Sequence, residues 1–203
     1  MVTKFLKSSG GLIIAAGAVV VVGLAIWFVP THMPFAKTIL ETRTENDATV
    51  TRFSDGTQEI LAPGAGYAAA IPTGWYIESL AQSGATVYPN YAPEGSSTPR
   101  CKIELYVSLN ASNTPLEEWV EHALREDPTV AIRQTSIEAM TVGGIPAIRW
   151  SGAADDVPMI NTYVSAGTRI YEIVPSSFST GSLSVAPCMD DLDTFIGSLK
   201  FQS

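Results

Sequence analysis

The sequence predicts an α+β fold, a central and mostly antiparallel sheet flanked by helices, preceded by one membrane-crossing helix. Three observations carry that prediction. An uncharged apolar run fills residues 11–29, and short segments punctuated by turn dipeptides follow from residue 49. Two amphipathic helical patterns come later, with hairpin-forming strands before and between them.

Residues 11–29 contain no charged side chain, and at 1.5 Å per residue they span about 29 Å, close to the hydrocarbon thickness of a bilayer. Lipid tolerates the glycines and valines of this run, because a helix there satisfies its own backbone groups. A cleaved signal peptide is the competing reading. It needs a shorter apolar core followed by small residues. Here the run ends at Trp27, Phe28, Val29 and Pro30, where Trp27 suits the membrane–water boundary and Pro30 stops the helix. A pilin-like leader is excluded, since it needs a glutamate inside the apolar stretch. Lys4 and Lys7 precede the run with no acid beside them, so the positive-inside rule places residues 1–10 in the cytoplasm. The expected location is the cell membrane, crossed once, with everything after Pro30 extracytoplasmic.

The chain carries a formal net charge of −8, and removing Lys4 and Lys7 leaves about −10 for the exported part. Such a domain repels phosphate backbones, so nucleic acid is not an expected partner. Cys101 and Cys188 both lie on the outer side. In an oxidising compartment the expected state is a disulfide, worth about 4–5 kcal/mol in a chain-entropy account of so long a loop. Two reduced, buried thiols are the alternative.

Residues 30–46 are polar with prolines near the membrane and read as a linker to an exported domain over residues 47–203. Its initial hairpin, residues 47–62, pairs 49–53 with 57–61 around Asp55-Gly56. The compact core, residues 66–203, follows the turn formers Pro63, Gly64 and Gly66. Residues 67–71 form its first strand, and Pro72, Thr73 and Gly74 make a turn that presents Trp75. Residues 76–80 and 85–88 read as short strands, and 89–100 as a loop rich in Pro, Ser and Gly. Residues 101–109 alternate, with Ile103, Leu105, Val107 and Leu109 on one face. Tyr106 falls on the other face with Lys102, Glu104 and Ser108, within reach of a covering helix.

The first helix is announced by Thr114, Pro115 and Glu117, an N-cap hydroxyl, a first-position proline and an N3 carboxylate. Leu116, Trp119, Val120, Ala123 and Leu124 form its apolar stripe, and Pro128 ends it. Residues 132–141 and 145–150 join across Gly143-Gly144, and 159–165 and 169–174 across Ala166-Gly167. The final helix covers 190–199, with Leu192, Phe195, Ile196 and Leu199 on its apolar side.

The sequence has no G-x-S-x-G elbow, H-E-x-x-H pair, P-loop or dinucleotide-binding glycine motif. His122 stands beside Glu118 and Glu121, and reads as a surface histidine with carboxylate neighbours. No catalytic residue and no cofactor are assigned. Two acidic groups are weak metal candidates: Asp155 with Asp156, and Asp190 with Asp191 and Asp193. Neither has the spacing of a calcium loop, and turn and helix-start preferences account for both. Trp75, Tyr88, Tyr91 and Arg100 flank the long loop and form the candidate ligand-binding set, since binding residues concentrate on such loops.

The order of short motifs carries a family resemblance. Tyr67, Ile71, Pro72, Gly74 and Trp75 open the series, followed by Pro115, Leu116, Glu117, Glu118 and Trp119. Val142 to Ala147 comes next, then Arg169, Ile170 and Tyr171, and Phe195 to Phe201 closes it. In this order the chain resembles the PsbP-like family, named for an extrinsic subunit of the photosynthetic oxygen-evolving complex. The resemblance covers residues 67–201 and implies an α/β/α sandwich, a central antiparallel sheet with helices on both faces. Bacterial members are often membrane-anchored exported domains. Photosynthetic members bind metal near histidines that this chain lacks, so the resemblance carries no metal site over. The expected function is a non-catalytic binding or adaptor domain. It would contact the bilayer through residues 11–29 and then another envelope protein, or assist assembly of a membrane complex. A small-ligand or cation-binding domain is the alternative, and an exported hydrolase comes last.

Overall fold

Apolar residues at every second position, separated by tight turns, build two antiparallel sheets in the computed structural model, which describes residues 37–81, 83–91, 99–125, 132–178 and 185–202. The smaller sheet contains β1 (Ile39–Glu45), β2 (Ala48–Phe53), β3 (Gln58–Ala62), β4 (Tyr67–Ile71) and β12 (Leu199–Phe201), in that spatial order. The larger has the order β5-β6-β7-β11-β10-β9-β8. Its strands are β5 (Tyr76–Ala81), β6 (Gly84–Tyr88), β7 (Cys101–Leu109), β8 (Ile132–Val142), β9 (Ile145–Ala154), β10 (Val157–Ala166) and β11 (Arg169–Ser177). Two short helices complete the described residues, α1 (Leu116–Arg125) and α2 (Met189–Ser198), the latter entered through a single 3-10 turn at Ala186–Cys188.

Three hairpins turn on two-residue loops with both residues left-handed: Asn46-Asp47, Gly143-Gly144 and Asp155-Asp156. This is the twist that suits antiparallel strands, and Asn, Asp and Gly adopt it most readily. Asp155 and Asp156 are therefore turn formers, and Asp156 also lies 3.6 Å from the Arg133 guanidinium.

One apolar core runs between the sheets. Val50, Ile60, Ala69 and Ile71 of the smaller sheet meet Ile77, Val87, Ile103, Leu105, Tyr171 and Ile173 of the larger, and Leu192, Phe195 and Ile196 of α2 join them. A second core lies on the outer face of the larger sheet, where Val120, Leu116 and Trp119 of α1 cover Ile148, Trp150, Tyr163 and Ile170.

The expected helix-flanked α/β/α sandwich is therefore corrected. The domain is mostly β, and the layer facing the inner side of the larger sheet is a second sheet of five strands. The cause is the N-terminal third. Residues 39–45, read as linker, pair with β2; the 47–62 hairpin pairs on through β3 to β4; and residues 199–201 close the far side against β4. The apolar run 11–29, the membrane helix of the sequence reading, lies outside the described residues. Among the described residues no helix is long and apolar enough to cross a membrane.

The smaller sheet also seals an edge of the larger one. An edge strand exposes unpaired backbone groups that invite another chain. Along β5 and the residue before it, Gln58 Nε2 donates to the Trp75 carbonyl at 3.1 Å, Arg43 Nη2 to that of Ile77 at 3.4 Å and Asn46 Nδ2 to that of Leu80 at 2.6 Å. At the other end of the interface, the Tyr171 hydroxyl lies 3.0 Å from the carbonyls of Ala65 and Gly66. Gly66 is required there: its φ is +75°, and a Cβ would stand 2.9 Å from that hydroxyl. Cys101 and Cys188 form a disulfide with Cα atoms 5.6 Å apart, fastening the start of β7 to the turn before α2.

Candidate functional site

Among the described residues, a helix covers the outer face of the larger sheet on one side only. Over β9 and β10, α1 buries Trp150 completely and sets Trp119 against Tyr163 with ring centroids 6.3 Å apart. Over β5, β6, β7 and the adjoining part of β11, no described helix lies on the sheet. Alternation fixes what this open half presents. Since Ile103, Leu105, Tyr171 and Ile173 point inward, Lys102, Glu104, Tyr106 and Glu172 point outward. Tyr106 is 44% exposed and sits opposite Glu172 in the β7–β11 register. Lys102 pairs with Glu104 at 2.9 Å.

At the β5–β6 end of this half lies an aromatic cluster. Tyr76 and Tyr88 are register partners with stacked rings 6.4 Å apart. Tyr91 approaches both, at 6.0 Å from Tyr76 and 5.5 Å from Tyr88. Phe178, 40% exposed and just past the end of β11, stacks on Tyr88 at 6.3 Å. Carboxylates border the rings. The Tyr88 hydroxyl donates to Glu78 Oε2 at 3.0 Å. Its pKa is pushed up to about 12 by partial burial, then by that hydrogen bond and by the charges of Glu78 and Glu104. Tyr106 is raised as well, by burial first and then by Glu104 and Glu172.

Where the covered half meets the open one, a buried polar group spans two strands. Glu172 Oε1 accepts from Asn161 Nδ2 at 2.8 Å and from the Tyr163 hydroxyl at 2.9 Å, and Asn161 lies 3.1 Å from that same hydroxyl. Burial, then the Glu172 charge, holds the Tyr163 hydroxyl protonated well above its ordinary range.

The candidate ligand set separates in three dimensions. Tyr88 and Tyr91 come together as the loop-flank reading placed them. Trp75 is only 7% exposed and belongs to the inter-sheet core, because the Pro72–Trp75 turn, with Gly74 at φ +82°, returns the chain inward. Arg100 lies beside the 3-10 turn and donates to the Pro187 carbonyl. Sequence reasoning missed Tyr76 and Phe178, which join the cluster through strand register and a long-range return. It also missed Glu78, Glu104 and Glu172. The signal available for Glu104 was the second face of the β7 alternation, there assigned to a covering helix.

The acidic candidates are engaged in local structure. Asp193 pairs with Arg149 at 2.5 Å, and Asp190 and Asp191 occupy the first turn of α2. Burial raises Asp191, with Arg100 opposing the shift. Among the described residues no group of three His, Cys, Asp or Glu side chains is placed to hold a metal ion. His122 lies with Glu118, Glu121 and Arg125 on the wet side of α1.

No protein-family profile matches the chain, and no characterised protein matches it in sequence. Among solved structures, it is similar to the solution structure of cyanobacterial PsbP (CyanoP) from Synechocystis sp. PCC 6803. That match has 12% identity and a TM-score of 0.47, covering 72% of this chain and 93% of that one. It is also similar to a crystal structure from Bacteroides thetaiotaomicron VPI-5482, at 14% identity and a TM-score of 0.41. There it covers 73% of this chain and spans about half of the other, 49%. The first of these structures bears the name of the family that the order of motifs resembles.

Proposed function

We propose that the chain is a membrane-anchored, extracytoplasmic binding domain, non-catalytic, that docks on another envelope protein or helps assemble a membrane complex. The observation that carries this reading is the open half of the larger sheet, where Tyr88, Tyr91, Tyr106 and Phe178 stand among Glu78, Glu104 and Glu172. Aromatic side chains supply large contact area at little conformational cost, and they dominate the energetics of interfaces. The carboxylates and the net charge of the exported part favour a partner whose surface is basic.

Three further features support the location. The apolar run 11–29 has the length of a span, Lys4 and Lys7 set its orientation, and the Cys101–Cys188 disulfide suits an oxidising compartment. The sequence also lacks the motifs of nucleophilic, metal-dependent and phosphate-cradling chemistry.

A photo-crosslinking residue in place of Phe178, in the full chain within its membrane, tests the docking surface. It should trap a membrane or envelope protein, whereas the same residue in place of Glu121 on α1 should not. Equal trapping from both positions, or none from Phe178, overturns the reading.

A further inference from the structure

The smaller sheet breaks its own pattern at one end. Along β2 and β3, the inward side reads Ala48 and Val50, then Arg52; and Ala62 and Ile60, then Gln58. On β1, Glu41 and Arg43 fall on the same side by register with Arg52 and Val50. The face that elsewhere forms the apolar core thus turns polar and charged. It borders a cavity of about 380 Å³ whose other lining residues include Gly74 to Ile77 and Tyr91.

The polar side chains here have unequal roles. Gln58 donates to the carbonyl just before β5 and Arg43 to one within it, and so they help seal that edge. Among the described residues, Arg52 has no hydrogen-bond or ion-pair partner. Edge sealing therefore explains its neighbours but leaves Arg52 without a structural task. The same cavity is lined by Tyr76 and Tyr91, whose rings lie 6.0 Å apart in an edge-on arrangement. Two cations against the single carboxylate of Glu41 leave the wall with one net positive charge, in a domain that is otherwise strongly acidic.

We infer that this cavity is a second binding site, adjoining the open sheet face and sharing Tyr76 and Tyr91 with it, for a small monoanion built on a flat ring, an aromatic carboxylate in its simplest form. The carboxylate accepts from Arg52, whose planar fork matches two carboxylate oxygens. The ring lies against Tyr76 and Tyr91, which accept an aromatic body edge-on or offset. Glu41 disfavours a second negative charge on the ligand, so a phosphate monoester is a poorer fit than a carboxylate.

The test uses the full chain in lipid nanodiscs, titrated with benzoate, benzylamine and inorganic phosphate, and read by amide chemical shifts. Benzoate should produce saturable shifts centred on Arg52, Gln58, Gly74 and Tyr91. Arg52→Gln, an exposed substitution, should weaken that binding about tenfold, the usual loss for a charged hydrogen bond. Tyr91→Ala should weaken it several-fold, while Tyr91→Phe, which keeps the ring, should not. The site is overturned by the absence of benzoate shifts, by an Arg52→Gln chain that binds as well as the parent, or by phosphate or benzylamine reproducing the benzoate pattern.

Discussion

Over β9 and β10 the outer face of the larger sheet is a packed core under α1, and over β5 to β7 the same face is open and lined by tyrosines and glutamates. Dimensions explain the division. A helix is about 10 Å across, whereas strands are spaced about 4.8 Å apart. One helix of ten residues therefore covers two or three strands of the seven. The covered strands offer Ile148, Trp150 and Tyr163; the uncovered ones offer Tyr88, Glu104 and Tyr106, whose polar ends water can satisfy. The face is thus split between a packed half and an open half.

That division can be broken by substitution. Trp150→Ala, in the covered half, should destabilise the domain by about 3–5 kcal/mol, seen as a fall in the denaturant midpoint. A loss below about 1 kcal/mol would mean that α1 does not hold a core there. Tyr163→Phe, at the boundary, should cost about 1–3 kcal/mol, because it strips a buried bond from Glu172 and Asn161. If Glu172→Gln in the Tyr163→Phe background cost as much as it does alone, the group would not act as a network. In the open half, Phe178→Ala should change stability by about 0.5 kcal/mol or less while weakening partner capture more than tenfold. The reverse pattern would assign Phe178 to the core instead.

The smallest effect expected is a titration. Tyr88 should ionise near pH 12, and Glu78→Gln should bring it back toward the ordinary tyrosine value near 10. Since the folded-state value is the higher one, the stability linked to Tyr88 is complete below about pH 10 and is lost as pH rises through about 12. A Tyr88 that already ionises near 10 in the parent chain would mean that neither burial nor the Glu78 hydrogen bond acts on its hydroxyl.

Elements written in local chemistry were legible. The 3.6-residue stripe of α1 and the Asp55-Gly56 and Gly143-Gly144 turns recur in the structure. β1 was not. Its side chains are exposed almost throughout, so no burial pattern marks it, and it is a strand only because its backbone pairs with β2. β12 is three residues long, below what alternation can register. Together these two strands turned an expected helical layer into a sheet. At the site, Tyr88 and Tyr91 could be placed beside one loop, but Phe178 arrives from a strand ninety residues further along the chain, about which local sequence says nothing.

The placement of β12 has a kinetic consequence. Leu199 pairs with Ala69, Phe201 with Tyr67, and the Phe201 ring sits 4.6 Å from that of Tyr171. The smaller sheet cannot complete its far edge until nearly the last described residues of the chain are available. Closing so long a loop precedes the contacts that reward it, which puts folding in the millisecond-to-second range of non-local β domains. During that interval β4 is itself an open edge, so a chain truncated before Leu199 should pass more of its folding time exposed to mispairing.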